Sequence, residues 1–149
     1  MGKNEFAPPV SVDATICRGC DMCMLACSLY HKGQCNPSLG RLRVTRDSDR
    51  YRFEVNICRQ CEEPDCFPAC PVDGAMERNA EGIVSIIEKN CIACGACAAA
   101  CPYDSIAFHE DMGLYLKCNL CEGREAGPMC AEVCPTGALS YGKVKERVG

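Results

Sequence analysis

Sixteen of the 17 cysteines in this 149-residue chain fall into four groups of four. The first is Cys17, Cys20, Cys23 and Cys27, in "CRGCDMCMLAC". The second is Cys58, Cys61, Cys66 and Cys70, in "CRQCEEPDCFPACP". The third is Cys91, Cys94, Cys97 and Cys101, in "CIACGACAAACP", and the fourth is Cys118, Cys121, Cys130 and Cys134, in "CNLCEGREAGPMCAEVCP". No hydrophobic pattern constrains the fold as strongly. Four Phe and no Trp leave few large apolar side chains for an ordinary core, so the thiols are the only groups numerous enough to hold the chain.

Cysteine density of this kind means a disulfide framework, a zinc scaffold or iron–sulfur ligation. The opening "MGKNEFAPPVSVD" has no apolar h-region, no A-x-A site and no twin arginine, which predicts a cytoplasmic chain under reducing conditions. No apolar run approaches the length of a membrane span, so no membrane insertion is expected. The formal charge of −4 and the lack of a Lys/Arg-rich face argue against a nucleic-acid partner.

The third group has the C-x2-C-x2-C-x3-C-P spacing of bacterial ferredoxins. Three closely spaced thiolates wrap one side of a compact cluster, and small residues (Ala93, Gly95, Ala96) let main-chain N–H groups approach the sulfurs. The fourth cysteine, on a short helical turn, points away toward the other cluster of a pair. Pro102 ends that turn. Zinc prefers two separated C-x2-C knuckles closing one tetrahedron, which this spacing does not resemble. The expectation is four 4Fe–4S clusters with all sixteen cysteines as iron ligands. Groups two and four are stretched, with four and eight residues between their second and third cysteines; a smaller cluster in one of them is the alternative. Group one has Ser28 in place of the proline.

Between the groups, "YRFEVNI" alternates Tyr51, Phe53, Val55 and Ile57 with polar residues, the period of a half-buried strand. "SIAFHEDMGLYLKC" reads as a hairpin turning near Gly113, and "VDGAMERNAEGIVSIIEKN" as a turn followed by a short apolar strand. The fold class is therefore α+β, small and cluster-nucleated. It contains two nested ferredoxin-like (β-α-β) two-cluster modules, an inner one at 58–101 and an outer one from 1–57 and 102–149. On that nesting one cluster takes Cys17, Cys20, Cys23 and Cys134, and its partner Cys118, Cys121, Cys130 and Cys27. The inner pair takes Cys58, Cys61, Cys66 and Cys101, then Cys91, Cys94, Cys97 and Cys70. Sequential pairing, group one with two and three with four, competes; the 30-residue gap from Cys27 to Cys58 makes it less comfortable without excluding it.

The order of spacings, with a proline-less first motif and stretched second and fourth, resembles the four-cluster electron-transfer subunits of molybdenum and tungsten oxidoreductases. These include the iron–sulfur subunits of the dimethyl sulfoxide reductase and formate dehydrogenase type. The resemblance covers Ile16 to about Tyr141 and implies the nested pairing. With no long insertion or C-terminal extension, and with "ACSLYHKGQCNPSLGRLRV" and "CRQCEEPDC", the chain is similar to the small ferredoxin-like partners of tungsten aldehyde oxidoreductases. That subgroup implies a catalytic partner carrying a tungsten or molybdenum pterin and, beyond it, a flavin-containing NAD-linked subunit.

Cys35 is left over and reads as an incidental free thiol; His31 and His109 read as ordinary hydrogen-bonding residues. Arg41, Arg43, Arg46, Arg50 and Arg52 read as a solvated strand face or, alternatively, a docking patch for an acidic partner. Four dianionic clusters would take the charge of −4 to roughly −12, so these arginines also serve charge balance. Glu62, Glu63 and Asp65, inside the second motif, read as charges that lower a cluster potential or, equally, as a solvated loop.

There is no G-x-G-x-x-G, P-loop, activated nucleophile or flavin signature. The chain by itself reads as non-catalytic, a one-electron relay between a catalytic subunit and an acceptor such as a flavin subunit or ferredoxin, with further copies of itself able to extend the wire. A subunit of a hydrogenase, carbon monoxide dehydrogenase or formate dehydrogenase system, or a free polyferredoxin, are the alternatives. With so small an apolar core, ligation supplies most of the folding energy. Iron-free protein is expected to lack fixed tertiary structure; a cooperative near-UV circular dichroism transition from verified apo chain would contradict this.

Overall fold

The computed structural model describes residues 8–141; residues 1–7, part of the stretch read for an export signal, and 142–149 lie outside it. Four helices and eight short strands follow one another as β1 (Ser11–Val12), α1 (Met22–Lys32), β2 (Arg43–Asp47), β3 (Arg52–Asn56), α2 (Cys66–Ala69), β4 (Met76–Arg78), β5 (Val84–Ile86), α3 (Ala96–Ala100), β6 (Ala107–His109), β7 (Leu114–Leu116), α4 (Met129–Val133) and β8 (Leu139–Ser140). The strands form four separate antiparallel pairs, β1–β8, β2–β3, β4–β5 and β6–β7. The β1–β8 pair sets Val12 opposite Leu139, so the two ends of the described chain meet.

In β3 the alternation is realised: Phe53 and Val55 face inward while Arg52 and Glu54 are exposed. The hairpin read around Gly113 is β6–β7, where Gly113, at φ +62°, donates its N–H to the His109 carbonyl at 2.9 Å. The segment read as a turn and one strand contains two strands. Met76 pairs with Ile86 and Arg78 with Val84, and the Asn79 side chain closes the turn by accepting the N–H groups of Glu81 and Ile83, each at 2.9 Å. Three residues of β4, of which only Met76 is buried, are too few to register as a period of two.

The helices follow the prolines. Cys70, Cys101 and Cys134 each precede a proline, adopt extended backbone (ψ 120°, 116° and 113°), and end helices of only four or five residues. Proline crowds the residue before it out of the helical region, which stops each helix after about one turn. Group one has Ser28 there, and α1 runs on to 11 residues before Gly33, at φ +71°, caps it by donating to the Leu29 carbonyl. Ser28 is fully buried; its hydroxyl donates to the Leu25 carbonyl at 2.8 Å and accepts the Asn36 N–H at 3.0 Å.

Among the described residues eight of the 21 buried core residues are cysteines and none is aromatic. The core divides in two. One part gathers Val10, Leu42, Ile57 and Leu139 around Cys23, Cys27, Cys118 and Cys130; the other gathers Met76, Val84 and Ile106 around Cys66 and Cys97. Helix α1 packs on α4 and α2 on α3. The hairpin β6–β7, placed by sequence with the outer segments, contributes Tyr115 to the second core, on the side of groups two and three.

The length of α1 depends on Ser28. A proline there would sit in the helix interior, at a cost of about 3 kcal/mol or more. Ser28→Pro is expected to lose its visible absorbance and far-UV helix signal at lower guanidinium concentration, under argon, than the parent chain; an unchanged midpoint would show that the last turns of α1 contribute nothing to stability.

Candidate metal centres

All seventeen thiols are free, and sixteen gather into four sets. One cavity, of about 330 Å³ empty volume, is lined by Cys17, Cys20, Cys23 and Cys134. A second, of about 370 Å³, is lined by Cys58, Cys61, Cys66 and Cys101, and a third, of about 320 Å³, by Cys70, Cys91, Cys94 and Cys97. The remaining four, Cys27, Cys118, Cys121 and Cys130, are all buried, and the other three all crowd Cys130 electrostatically. Each set takes three thiols from one group and its fourth from another. Cys70 lies with group three and Cys27 with group four, not with the neighbours that sequential pairing would give them. Cys35 is exposed and outside every set.

The exchange follows from helical geometry. The third and fourth cysteines of every group are four residues apart, a rise of about 6 Å on one helix face. Helix α1 therefore offers Cys23 to one set and Cys27 to the next, while α4, packed against it, offers Cys130 and Cys134 in the opposite sense. Helices α2 and α3 trade Cys66, Cys70, Cys97 and Cys101 in the same way. Stretching groups two and four lengthens the loop before the helix and leaves this step unchanged.

A second regularity is in the backbone. The residue just before the second cysteine has positive φ in every group: Gly19 (65°), Gln60 (45°), Ala93 (56°) and Leu120 (56°). In three groups its N–H donates to the sulfur of the first cysteine, from Gln60 to Cys58 and from Ala93 to Cys91 at 3.4 Å, and from Leu120 to Cys118 at 3.3 Å. Left-handed backbone is costly for a residue with a Cβ and persists where surroundings impose it. Its recurrence at one position turns main-chain N–H groups toward sulfur, a cradle suited to negative charge. Gly19 is glycine for a further reason: a Cβ there would lie 2.5 Å from the Phe53 ring.

Burial makes bare thiolates unfavourable here. It pushes the thiols of Cys23 and Cys118 up to about 12 and that of Cys66 to about 11, and it also raises Cys27, Cys61, Cys97, Cys121 and Cys130. At Cys134 burial is outweighed by donors from the turn after α4, the Leu139 and Gly137 N–H groups and Thr136, and its thiol is lowered. A metal-bearing group that replaces the protons removes the penalty at the other sites. Among the described residues no three Cys, His, Asp or Glu side chains converge as a single ion requires. Zinc draws four ligands to about 2.3 Å from one centre, whereas a cube spreads its sulfurs over a wider body. Four thiols around a cavity with N–H groups aimed at sulfur fit a 4Fe–4S cube.

Neighbouring sets fall into a row. Cys23 acts electrostatically on Cys130, Cys58 on Cys118, and Cys97 on Cys66. The order is the Cys17 set, the Cys27 set, the Cys58 set and the Cys70 set. Cys20 and Cys94, in the two end sets, are exposed, whereas all four thiols of the Cys27 set are buried.

Several polar residues near the sets carry no motif. The Arg41 N–H donates to the Cys27 sulfur at 3.2 Å, and its guanidinium pairs with Glu88 at 3.5 Å, which also holds Lys32 at 2.6 Å. Arg46 pairs with Asp21 at 2.6 Å, and Arg43 with Asp104 at 3.7 Å, so three of the five arginines read as a strand face bind within the chain. His31 lies with Nε2 3.8 Å from the Cys121 sulfur, and burial, then Arg41 and Lys32, lowers its pKa to about 4, so the ring is neutral near pH 7. His109 accepts the Met112 N–H at Nδ1, 3.3 Å away. Glu62, Glu63 and Asp65 are all exposed on the loop before α2. Gln60 and Lys117, both buried, went unnoticed in the sequence. Position within the motif was the available signal for Gln60; Lys117 offered only its place directly before Cys118.

Residues 50–144 match the family described as 4Fe-4S dicluster domain. The chain is 33% identical to the iron–sulfur subunit of the nitrate-inducible formate dehydrogenase of Escherichia coli, over 91% of this chain and 54% of that subunit. It is also 33% identical to a subunit of the anaerobic dimethyl sulfoxide reductase of Escherichia coli, over 91% of this chain and 73% of that subunit. The chain thus spans about half the length of the formate dehydrogenase subunits it matches. Among solved structures, one protein of the active site complex BamBC of benzoyl coenzyme A reductase, with zinc, superimposes with a TM-score of 0.55 at 31% identity, covering 92% of this chain and 80% of that one.

The cradle can be tested at two equivalent positions. Gly19→Ala puts a Cβ against Phe53 in left-handed backbone and is expected to lower iron from about sixteen to about twelve atoms per chain, the loss of one cube. Ala93→Gly, which relaxes the same conformation, is expected to keep full iron. Equal iron in both variants would show that the turn does not govern loading.

Proposed function

The chain belongs to the 4Fe-4S dicluster domain family, and on that premise we propose that it is the electron-transfer subunit of a molybdenum- or tungsten-pterin oxidoreductase. The observation that carries this reading is the completeness of the thiol sets. Every set supplies four sulfurs, so no iron position is left open for a substrate, and the chain is non-catalytic by itself. The proposed ligands are Cys17, Cys20, Cys23 and Cys134; Cys27, Cys118, Cys121 and Cys130; Cys58, Cys61, Cys66 and Cys101; and Cys70, Cys91, Cys94 and Cys97. A bound 4Fe–4S cube takes up and returns one electron with no bond made or broken. The residues of this chain hold the sulfurs, aim N–H groups at them and exclude water from the middle of the row.

The nested modules are part of the same proposal, and the same partition of thiols supports them. The outer module joins groups one and four through the α1–α4 contact and the β1–β8 pair, and the inner module joins groups two and three through α2–α3. On this reading hairpin β6–β7 goes with the inner module, which the packing of Tyr115 against the second core supports.

Two exposed end sets suit a wire with one end on a catalytic subunit and the other on an acceptor. The relatives named as subunits of formate dehydrogenase and of anaerobic dimethyl sulfoxide reductase support a multi-subunit oxidoreductase. The finer reading is the small subunit of a tungsten aldehyde oxidoreductase, handing electrons to a flavin-containing NAD-linked subunit or ferredoxin, directly or through further copies of this chain. It rests on the sequence stretches around Cys27 and Cys58. Among the described residues no helix is long and apolar enough to cross a membrane; a cytoplasmic location is part of the proposal.

The test is metal analysis of the untagged native complex isolated without oxygen. About sixteen irons per copy of this chain, four in each of four cubes, with tungsten or molybdenum in the complex, is the expected result. Nickel in their place would move the chain to a hydrogenase or carbon monoxide dehydrogenase system. A solitary iron-loaded chain would make it a free polyferredoxin, and zinc in place of iron would overturn the reading.

A further inference from the structure

Lys117 is the most deeply buried charged side chain among the described residues, 3% exposed. It sits between β7 and Cys118, and its Nζ donates to two backbone carbonyls, that of Val84 on β5 and that of Cys118 at 3.1 Å. Among the described residues no carboxylate lies within ion-pairing distance of it. A buried charge paired only with neutral oxygens is costly and is retained where a counter-charge offsets it.

The position of Lys117 identifies that counter-charge. The side chain lines the cavity of Cys58, Cys61, Cys66 and Cys101, while its Nζ is held on the carbonyl of Cys118, a member of the adjoining Cys27 set. It therefore lies at the crossing from the inner to the outer module, between the two middle sets of the row. Gln60 ties the same seam: its amide donates to the Cys118 carbonyl at 2.7 Å and accepts the Val84 N–H at 2.9 Å.

We propose that Lys117 is an electrostatic tuning residue for electron passage between the modules, holding the reduction potentials of the two middle clusters above the values they would have without it. The proposal rests on the four-cluster reading above. Reduction adds one negative charge to a cluster, so a fixed cation beside it stabilises the reduced form. Buried in low dielectric between two clusters, one ammonium acts on both and is little screened by salt. Passage of an electron from an end cluster into the middle pair is then kept from becoming an uphill step.

The experiment is an anaerobic redox titration of the holoprotein followed by electron paramagnetic resonance, on the parent, Lys117→Met, Lys117→Gln and Lys117→Arg. Iron and sulfide content of the parent first checks the four-cluster reading on its own. The proposal expects Met and Gln to move two of the four midpoints negative, each by at least a tenfold change in the reduction equilibrium, about 59 mV for one electron. The other two stay, and Arg keeps all four near the parent values. Unchanged midpoints in both neutral variants, or a shift in Arg as large as in Met, overturn the proposal. If Met and Gln fail to load iron while Arg loads, the cation serves assembly rather than tuning, and the proposal falls. If all three fail, the site needs the shape of lysine rather than its charge, and the proposal falls.

Discussion

Sulfur buried in numbers, without buried uncompensated charge, is the constraint on which everything else in this structure depends. Among the described residues eight of the 21 buried core residues are cysteines, and burial raises the pKa of most of these thiols. An apolar core of this size would hold the chain weakly, and thiolates in such a core would repel one another. A metal-bearing group in each cavity resolves both conditions. It would supply the positive charge that lets the sulfurs ionise, and it would cross-link segments as distant in sequence as Cys17 and Cys134, which line one cavity.

The helices are subordinate to that requirement. Three are single turns whose function is to carry two sulfurs four residues apart and then stop at a proline. Packing two such turns against each other makes two sets and commits the pair to exchange. The hairpins close the sides of the cavities, and the left-handed residue repeated in every group turns main-chain donors inward. The same small design is used twice, which accounts for the row of four sets and for its two exposed ends.

How much was legible in the sequence can be followed through particular residues. The four groups, β3 and the β6–β7 hairpin are written in local spacing, because ligand count and a period of two are properties of neighbouring residues. Strand β4 was missed because three residues carry no period. Sequence left the fourth ligand of each set open between nested and sequential schemes, since the i, i+4 step states only that the fourth thiol leaves its own set. Where it goes depends on which helices pack together. Arg43 and Arg46 lie on the exposed strand face that the sequence suggested, but nothing in the sequence placed Asp104 and Asp21 beside them.

The sequence alone determined the ligand pattern: sixteen thiols in groups of four, at spacings that suit cubes. Local spacing suffices for this because metal preference follows ligand type and number. The tertiary structure decided the partition of thiols, the order of the sets and the electrostatics between them. Those are set by α1 on α4, α2 on α3, and a lysine enclosed between the modules, contacts among residues far apart in the chain. Lys117 shows the division most plainly: in the sequence it is one of sixteen basic residues, and only its enclosure removes the water that would otherwise screen its charge.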